Sequence, residues 1–558
     1  MSRCRLFFAL SALLLATQGS WAQPRLLDTQ LQLRKVLSVP RNSICLASNP
    51  VDDLLYVANA NGDLSRLDPE AATPALDRIY STADHGVRNA AGFAIGPDGT
   101  FYLTENIAQG THNIVTLTKG VIDAATGERR WSVLARTEPY PLCGNNFDHK
   151  ANGIAISPDN RYVYLNSGSR TDHGEVQENK GAFPGVREVP LSSAIFRLPT
   201  SGEELVLPAD DAALRASGYL YADGVRNAYD LAFDPTGELF GTENGPDRDM
   251  DDELNWLREG HHYGFPWRMG VSENPQQFPA YDPAKDKLLP PNFVAIQRGT
   301  YVNDPTFPPP PVAFTDPVLN LGPDADGFRD PADGEPKDAS DLGMTRSTFT
   351  AHRSPLGLVF DAEKRLGGGY TGDGLVMSWT EGDPNGDSKA GPFKDPSQDL
   401  LHLQLSRAGG NYQARITRIA DRFANPLDAV LRGNRLYVLE YSGTRGIWEI
   451  TFPENDTAVE ELGQIPSQFS LAQNYPNPFN AGTAITYELG QAGPVELGIF
   501  SLTGQRIHTL VSGAQSAGSH HLGWDGRDEG GRMVATGVYL YRLRAGAGVQ
   551  TRRLVLLK

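Results

Sequence analysis

Two places in the sequence carry side chains suited to chemistry just ahead of apolar, alternating segments. His149 precedes the segment that begins at Gly153, and Arg226 with Asn227 precedes the one that begins at Leu231. A histidine, with an ordinary pKa of about 6.5, can take a proton from a hydroxyl at neutral pH. Arginine offers a fixed cationic fork, and asparagine offers both a donor and an acceptor. On position alone, His149 fits either a general base or a structural histidine.

A turn and a run of carboxylates follow the second of these segments. Gly245 and Pro246 form a bare backbone turn, whose carbonyl oxygens can bind a hard cation such as Ca²⁺. The carboxylates crowd into one loop, at Asp247, Asp249, Asp251, Asp252 and Glu253. Because like charges repel unless water or a cation offsets them, this loop fits a calcium site and a solvated acidic loop equally well.

The composition excludes several other classes of function. The 558 residues hold 50 Lys and Arg against 67 Asp and Glu, a net charge of -17, so we expect no basic surface for nucleic acid or anionic lipid. The three cysteines and 11 histidines show no paired zinc-ligand spacing. With 58 Gly, 40 Pro and only 21% charged residues, the chain is predicted to be globular, turn-rich and all-β.

The N-terminus has the residue order of a secretory signal peptide. Arg3 and Arg5 precede an apolar run, and Ser20 and Ala22 place small residues before a cleavage point after Ala22. A buried N-terminal helix is the alternative. We predict that residues 1–22 are removed, and no later stretch has the roughly 20 apolar residues that span a bilayer. The expectation is a secreted or cell-surface protein, exported through the periplasm, with no transmembrane segment in the mature chain.

Removal of that segment also takes away Cys4. The remaining cysteines, Cys45 and Cys143, can form a disulfide in an oxidising compartment only if the fold brings them together. Their spacing along the chain leaves both outcomes open.

A weak pattern recurs between Asn49 and Pro453, consisting of an apolar strand, a turn of Pro, Asp and Gly, and an aromatic-containing strand. The six units begin at Pro50, Gly92, Gly153, Leu231, Leu356 and Asp428. Such units close radially into a β-propeller. We predict a six-bladed β-propeller over residues 23–452, in which the Pro- and Asp-rich stretch 278–347 is a functional top-face loop or a flexible insertion. A sandwich with unrelated insertions is the alternative.

The composition changes after Phe452. Residues 453–466 are polar and lack alternation, which indicates a linker, and residues 467–558 predict a small immunoglobulin-like β-sandwich. The motifs QNYPNPFNAGTAITYEL, HHLGWDGRDEGGRM, TGVYLYRL and TRRLVLLK resemble the C-terminal sorting domain of type IX secretion. The resemblance implies a transport address that the type IX secretion machinery reads, whereas an ordinary adhesive sandwich would bind a ligand.

The first domain also resembles a known family. The motifs VRNAYDLAFDPTGELFGTENGP, DDELN, HHYGFPW, DHKANGIAISPD and HRSPLGLVFD are similar to those of the soluble quinoprotein glucose and aldose sugar dehydrogenases, the glucose/sorbosone dehydrogenase family. The resemblance extends over most of residues 42–452 and is patchy between the motifs. It implies a six-bladed propeller that uses pyrroloquinoline quinone (PQQ) and Ca²⁺ to oxidise the C1 hydroxyl of aldoses.

The resemblance implies roles for individual residues. His149 corresponds to the base that removes the hydroxyl proton while a hydride passes to the quinone. Arg226 corresponds to the arginine that stabilises negative charge at the quinone carbonyl, and Asn227 to its neighbour at the cofactor. The implied metal-binding residues are Gly245 and Pro246, through their carbonyl oxygens, for the Ca²⁺ that also binds the quinone, and Glu253 and Tyr263 for a second, structural Ca²⁺.

The sequence departs from the family where a tricarboxylate cofactor needs cations. Thr380 stands at the position of a cofactor-contacting lysine, and Asn425 and Leu427 stand at the positions of an arginine pair. Ser169 replaces the carboxylate that orients the base, and Asp172 is the nearest acidic replacement.

These features together predict an exported PQQ-dependent dehydrogenase that acts on an aldose or a related sugar or alcohol and passes electrons to an unidentified acceptor. The alternative is a non-catalytic secreted propeller that binds carbohydrate or cell-surface ligands. A calcium-dependent lactone hydrolase fits less well, because it needs carboxylates that converge on the central channel, whereas the acidic residues here crowd one loop.

Overall fold

The structure of the chain is a computed structural model with two compact units, Met1–Asn455 and Asp456–Lys558. It describes residues 23–123, 125–381, 391–393, 395–455, 469–471, 474, 476–480, 482–489, 493–501, 505–515, 518–545 and 548–557. The predicted signal peptide, residues 1–22, and most of the predicted linker lie outside the described residues.

Short strands dominate the first unit. In chain order they are β1 Arg25–Leu26, β2 Gln32–Ser38, β3 Ser43–Asn49, β4 Leu54–Asn59, β5 Leu64–Leu67, β6 Asp77–Tyr80, β7 Ala90–Ile95, β8 Phe101–Gln109, β9 His112–Ile122, β10 Arg129–Thr137, β11 Tyr140–Pro141, β12 Ile154–Ile156, β13 Tyr162–Ser167, β14 Ala194–Pro199, β15 Leu205–Leu207, β16 Leu220–Asp223, β17 Ala228–Phe233, β18 Leu239–Glu243, β19 Glu253–Leu257, β20 Arg268–Met269, β21 Ser272–Glu273, β22 Leu319–Pro323, β23 Gly327–Arg329, β24 Pro336–Asp338, β25 Pro355–Phe360, β26 Gly374–Ser378, β27 Leu400–Ala408, β28 Asn411–Asp421, β29 Pro426–Arg432, β30 Arg435–Glu440 and β31 Gly446–Thr451.

Helices are few and short. The α-helices are α1 Thr82–His85, α2 Asp211–Ser217 and α3 Val294–Gln297, and the 3-10 helices are Pro275–Gln277, Pro283–Lys285 and Ser340–Leu342. No helix in the described ranges has the length and apolar character needed to cross a membrane. The prediction of an all-β chain is therefore confirmed.

Six mainly antiparallel sheets organise the described part of the first unit. They are β3-β4-β5-β6, β7-β8-β9-β10-β15, β12-β13-β14-β16, β17-β18-β19, β25-β26-β27-β28-β1 and β29-β30-β31-β2. The first strands β3, β7, β12, β17, β25 and β29 neighbour one another in that order, and β29 returns to β3. They line a cavity of about 740 Å³.

Equivalent residues of the first strands, such as Asp230, Asp428 and Gly92, lie where each strand meets the next. Asp230 Oδ2 accepts a hydrogen bond from a backbone N–H of β25 at 2.7 Å, and Asp428 Oδ2 accepts one from a backbone N–H of β3 at 2.7 Å. Where glycine stands instead, the backbones approach directly, since a Cβ on Gly92 would lie 1.9 Å from the Asn152 carbonyl oxygen. Carboxylates or glycines stand at this position in or directly before five of the first strands and Cys45 stands there in β3, so these residues allow or make the contacts between neighbouring strands.

Left-handed residues make the turns between first and second strands. Gly99, Asn160, Gly237 and Lys364 occupy the same turn position in four sheets, with φ from 55° to 83°. Glycine and asparagine adopt this conformation readily, which explains the repeated Pro-Asp-Gly and Pro-Asp-Asn turns. Those turns lie at one end of the ring, so the loops that lead into the first strands share the opposite end.

The second unit consists of two sheets. Its strands are β32 Phe469–Leu471, β33 Thr483–Leu489, β34 Gly493–Ser501, β35 Arg506–Gln515, β36 Gly518–Trp524, β37 Gly537–Ala545 and β38 Gly548–Leu556. They form the sheets β32-β33-β36 and β35-β34-β37-β38. One apolar cluster includes Ile485 from the first sheet and Leu497, Tyr541 and Leu554 from the second, all fully buried. The shared core is that of a two-layered β-sandwich.

The two cysteines of the described chain are both free thiols. Cys45 lies in β3, and Cys143 packs with Phe147 and Tyr301 in a small cluster beside the third sheet. The fold therefore contains no disulfide between Cys45 and Cys143.

Candidate active site

His149 lies in the loop that leads into β12, with its ring against Ser169. The distance from His149 Nδ1 to Ser169 Oγ is 3.3 Å. The Ser169 hydroxyl donates its proton to the Thr171 carbonyl oxygen at 2.8 Å, so Oγ is left to accept from His149. His149 therefore carries its proton on Nδ1, and Nε2 has the lone pair that a general base needs.

The surroundings of His149 keep it uncharged. Burial and then the positive charge of Arg226 lower the pKa of His149 to about 3, and the carboxylate of Asp172 only partly opposes them. The imidazole is therefore neutral throughout the physiological range. Since only the neutral ring can accept a proton, this pKa keeps the base in its working form.

The backbone of Ser169 joins the loops that carry His149 and Arg226. Its N–H donates to the Arg226 carbonyl oxygen at 2.6 Å, and its carbonyl oxygen accepts from the His149 N–H at 2.8 Å. Gly168 has no room for a side chain, because a Cβ there would lie 2.5 Å from the His149 Cβ and 3.1 Å from Asn227 Oδ1. The third and fourth sheets thus bring His149, Arg226 and Asn227 together.

Arg226 is buried, and each part of its side chain is bound. Nη2 donates to Asp172 Oδ1 at 2.9 Å, and Nε donates to the Asp172 carbonyl oxygen at 2.8 Å. Nη1 donates to the Asn244 carbonyl oxygen at 3.1 Å, and the backbone N–H donates to Glu243 Oε2 at 2.6 Å. The guanidinium is therefore fixed, and Asp172 neutralises most of its charge.

Asp172 does not take the place of the carboxylate that orients the base. Its own carboxylate binds Arg226 and accepts from His173 Nδ1 at 2.8 Å. Burial alone would raise the pKa of Asp172. The hydrogen bond from His173 and the charge of Arg226 outweigh burial, so the pKa is lowered overall. The contact with His149 Nδ1 comes from Ser169 instead.

His173 is a residue of the site that sequence reasoning missed. Its Nδ1 faces Asp172, its Nε2 lies 3.3 Å from Gln276 Oε1, and its ring stacks on Tyr301 with centroids 3.7 Å apart. Burial lowers the pKa of His173, but the carboxylates of Glu175 and Asp172 outweigh it and raise the pKa. Acceptors at both ring nitrogens fit a doubly protonated imidazolium. No local pattern connects His173 with Gln276, which lies 103 residues later.

Two amide oxygens beside Arg226 lack a partner. Within the described ranges, neither Oδ1 of Asn227 nor Oδ1 of Asn244 accepts a hydrogen bond, and both atoms are buried. A buried carbonyl left unpaired is unfavourable, so water, an ion or a polar ligand is expected to complete it. These oxygens therefore fit a polar cofactor or a cation at this place.

The turn that follows Asn244 offers two more oxygens. In the described part of the chain, no hydrogen bond reaches the carbonyl oxygens of Gly245 and Pro246. The Gly245 N–H donates to Asp252 Oδ1 at 2.6 Å, and a Cβ on Gly245 would lie 2.7 Å from the Met250 carbonyl oxygen. Only glycine fits this turn, and its free carbonyl oxygens are of the type that Ca²⁺ prefers.

Two of the carboxylates after this turn form ion pairs within the protein. Asp249 binds Arg329 and His352, and Asp251 binds Arg346. No group of three or more His, Cys, Asp and Glu side chains among the described residues is arranged to hold a metal ion. Arginine and histidine side chains therefore offset the charges of Asp249 and Asp251, where the sequence alone left a calcium site and a solvated loop equally open.

Glu253 and Tyr263 belong to different hydrogen-bond groups. Glu253 pairs across the sheet with Glu243, and Asn255 Nδ2 donates to both carboxylates at 2.7 Å. Burial raises the pKa of Glu253 to about 7. Tyr263 instead donates its hydroxyl to the Trp256 carbonyl oxygen at 2.6 Å. No hydrogen bond in the described structure joins Glu253 to Tyr263 directly.

Uncharged residues stand at the three positions where the resemblance implies cations. Asn425 Nδ2 donates to a backbone carbonyl at 3.0 Å, the Thr380 N–H donates to the Arg353 carbonyl oxygen at 3.1 Å, and Leu427 is buried. Arg353 is close by, but Asp399 binds its guanidinium at 2.6 Å. A tricarboxylate would therefore need other cations from this end of the ring.

Two family descriptions match separate parts of the chain. Residues 123–294 match the Glucose / Sorbosone dehydrogenase model, and residues 476–548 match the FlgD Ig-like domain model. The first range includes His149, Arg226 and Glu253. The second lies within the two-sheet unit, which confirms the prediction of an immunoglobulin-like domain there.

Individual relatives are similar over parts of the chain. Quinoprotein glucose dehydrogenase B of Acinetobacter calcoaceticus is 26% identical over 298 residues, which cover 48% of this chain and 60% of the relative, less than two thirds of its length. The soluble aldose sugar dehydrogenase of Escherichia coli, in its apo form, has a TM-score of 0.46 at 13% identity and covers 76% of this chain and 100% of its own. The PQQ-bound aldose sugar dehydrogenase of Streptomyces coelicolor has a TM-score of 0.42 at 16% identity, with coverages of 76% and 99%. The region that carries His149 and Arg226 is thus similar in sequence to glucose/sorbosone dehydrogenases.

Proposed function

We propose that the first unit is an exported quinoprotein dehydrogenase that oxidises a hydroxyl of an aldose or a related sugar with PQQ and Ca²⁺. The observation that carries this proposal is the grouping of His149, whose Nδ1 contacts Ser169, with the buried Arg226 and with Asn227, whose amide oxygen has no partner among the described residues. The family match over residues 123–294 and the relative described as a quinoprotein support it.

The residues of the site divide the work between them. When bound, PQQ supplies the acceptor for two electrons from the sugar carbon. His149 takes the hydroxyl proton on Nε2, and its Nδ1–H bond to Ser169 keeps the ring in place. Arg226 and Asn227 would hold the quinone, and the fixed guanidinium would stabilise negative charge there.

Calcium has a natural place in the same site. We assign it to the carbonyl oxygens of Gly245 and Pro246, which follow the free amide oxygen of Asn244 in sequence. A second, structural Ca²⁺ is proposed near Glu253 and Tyr263. A cation there would offset the cost of burying the Glu253 and Glu243 carboxylates side by side.

The architecture and location are also part of the proposal. We infer that the six sheets are the blades of a six-bladed β-propeller over residues 23–452, because the first strands follow one another in a cycle. In addition, β2 from the start of the unit's sequence pairs with β31 from its end. Residues 453–466 would be the linker. Residues 1–22 and 467–558 would act as a signal peptide and a type IX sorting domain that carry the protein to the cell surface.

Export is tested by deletion of residues 467–558. The shortened protein should stay in the periplasm, because the secretion machinery would have no address to read. Surface display or release of the shortened protein at the normal level would contradict the assignment of a sorting domain.

Dye reduction tests the activity. The purified chain is stripped with a chelator, given PQQ and Ca²⁺, and mixed with a redox dye and a panel of aldoses, so that the dye replaces the natural electron acceptor. We expect reduction that requires sugar, PQQ and Ca²⁺ together. No reduction with any sugar would favour the alternative of a secreted propeller that binds carbohydrate without turnover.

A further inference from the structure

The six sheets of the first unit begin with equivalent residues. Counted from Asp230 and its counterparts in the other first strands, the fourth residue back is Arg41, Arg88, His149, Arg226, Arg353 or Ala424. The residue after it is Asn42, Asn89, Lys150, Asn227, Ser354 or Asn425. In four sheets the carbonyl oxygen of this second residue accepts the same backbone hydrogen bond from the end of the second strand, at 2.9 to 3.5 Å. These residues therefore form a rim on the end of the ring that carries His149.

Two of the cations on this rim are neutralised by the protein. Arg226 is buried and paired with Asp172 at 2.9 Å, and Arg353 is buried and paired with Asp399 at 2.6 Å. Both belong to sheets that follow His149 in the order of the ring. Their charges are therefore not available to a ligand at full strength.

The other cations of the rim have no carboxylate partner. Arg41 and Arg88 are exposed and Lys150 is half-buried, and none of the three forms an ion pair with any residue in the described ranges. They come from the first three sheets in succession, and Lys150 is the residue after His149. In a chain of net charge -17, three successive sheets thus carry a cation without an ion-pair partner at the end of the ring that holds His149.

The backbone beneath these side chains is held in place. The buried Glu105 accepts hydrogen bonds on Oε1 from the N–H groups of Arg88 at 2.9 Å and Asn89 at 3.2 Å. Asn59 Nδ2 donates to the Arg41 carbonyl oxygen at 2.6 Å. A cationic fork on a fixed backbone, with no acidic partner of its own, is suited to bind the anionic group of a ligand.

We propose that the sugar oxidised at His149 carries an anionic group, a carboxylate or a phosphate, and that Arg88 binds it. This inference rests on the proposed function. The order of the sheets assigns Arg88 to the substrate, because Arg226, which would hold the quinone, follows His149 in the ring, whereas Arg88 precedes it. The reacting hydroxyl lies at His149 between the two, and Arg41 and Lys150 add positive potential that draws the anion to this rim.

Three sugars with the same anomeric hydroxyl test the inference: glucose, glucuronate and glucose 6-phosphate. For the chain loaded with PQQ and Ca²⁺, we expect kcat/KM to be at least about 10-fold higher for one anionic sugar than for glucose, and the difference to shrink as salt rises. A preference for glucuronate identifies a carboxylate as the natural group, and a preference for glucose 6-phosphate identifies a phosphate.

Variants assign the preference to a residue. Arg88→Gln should remove most of it by raising KM for the anionic sugar. The control is Arg415→Gln, which changes an exposed arginine on β28 without an ion-pair partner in the described structure, and it should keep the preference. A wild-type protein that prefers glucose, or an Arg88→Gln variant that weakens all three sugars alike, would overturn the inference.

Direct binding separates this inference from the proposed function. The full chain without quinone is titrated with each of the three sugars by calorimetry, and the anionic sugar should bind about 10-fold more weakly to Arg88→Gln than to Arg415→Gln. If no sugar is oxidised but this selective binding persists, the dehydrogenase proposal fails and the anion site stands. If neither anionic sugar binds better than glucose, the anion site fails whatever the turnover.

Discussion

His149 Nδ1 and Ser169 Oγ lie 3.3 Å apart, and the Ser169 proton is already donated to the Thr171 carbonyl oxygen. Ser169 is therefore an acceptor that sets the tautomer of a neutral histidine without adding negative charge. A carboxylate in its place would raise the pKa of His149, whereas the hydroxyl leaves that pKa low. The site thus keeps Nε2 free to accept a proton.

Replacement of His149 with asparagine should abolish most turnover. General-base catalysis typically contributes about 10²- to 10⁴-fold in rate, and asparagine cannot accept the proton. Dye reduction measures the loss, and a thermal melt checks that the fold persists. His508→Asn, which changes a histidine in β35 of the second unit, is the control. A His149→Asn enzyme as active as the control would contradict the assignment.

The Ser169→Ala variant should lose orientation of the base while keeping the base itself. We expect kcat to fall by about 10-fold with little change in KM, because a positioning residue acts on the transition state. In ¹⁵N-histidine NMR spectra, the His149 signals should change from a single Nδ1–H tautomer to a mixture. Ser157→Ala, in a turn at the opposite end of the third sheet, should leave both readouts unchanged. An unaltered tautomer in Ser169→Ala would mean that Ser169 is only structural.

The pKa of His149 should be well below the ordinary histidine value in the chain without cofactor. Since burial and Arg226 lower its pKa to about 3, the neutral form is the one present above that pH. An NMR titration should show no protonation of His149 between pH 8 and about 5. Arg226→Gln removes a positive charge and should raise the pKa of His149. A midpoint near the ordinary value of about 6.5 in the wild-type chain would contradict this description.

The repeated units of the first domain could be predicted because each is local. Their strands alternate, and their turns need a left-handed residue such as Gly99 or Asn160. The completion of the last two sheets could not be predicted in the same way. Strands β1 and β2 pair with β28 and β31, almost the whole unit later in sequence, and nothing in their own residues names those partners.

The candidate site divides along the same line. His149 and Arg226 were accessible to sequence reasoning because each stands directly before a strand, at one end of a repeated unit. The partner of Arg226 was not, because Asp172, which His173 contacts in turn, reaches it from an irregular excursion between β13 and β14. Sequence proximity favoured Asp172 as the partner of His149, but the fold gives that position to Ser169.

Asp172→Asn should destabilise the first unit. Loss of one partner of a buried ion pair leaves the Arg226 charge uncompensated, which typically costs about 3–5 kcal/mol. Denaturant unfolding measures the change in the free energy of unfolding. The double variant Asp172→Asn/Arg226→Gln should recover part of the loss, because the unpaired charge is then gone. If the two single effects simply add in the double variant, Asp172 and Arg226 are not coupled as the structure indicates.

The proposed function requires first that the chain bind PQQ with Ca²⁺ at Arg226 and Asn227. The most direct measurement is an equilibrium titration of PQQ into the chelator-stripped full chain, with and without Ca²⁺, followed by the absorbance of the quinone. We expect uptake of about one quinone per chain that requires Ca²⁺ and weakens at least about 10-fold in Arg226→Gln but not in Arg415→Gln. No uptake, or uptake indifferent to both Ca²⁺ and Arg226, would contradict the dehydrogenase and leave the first unit as a binding protein.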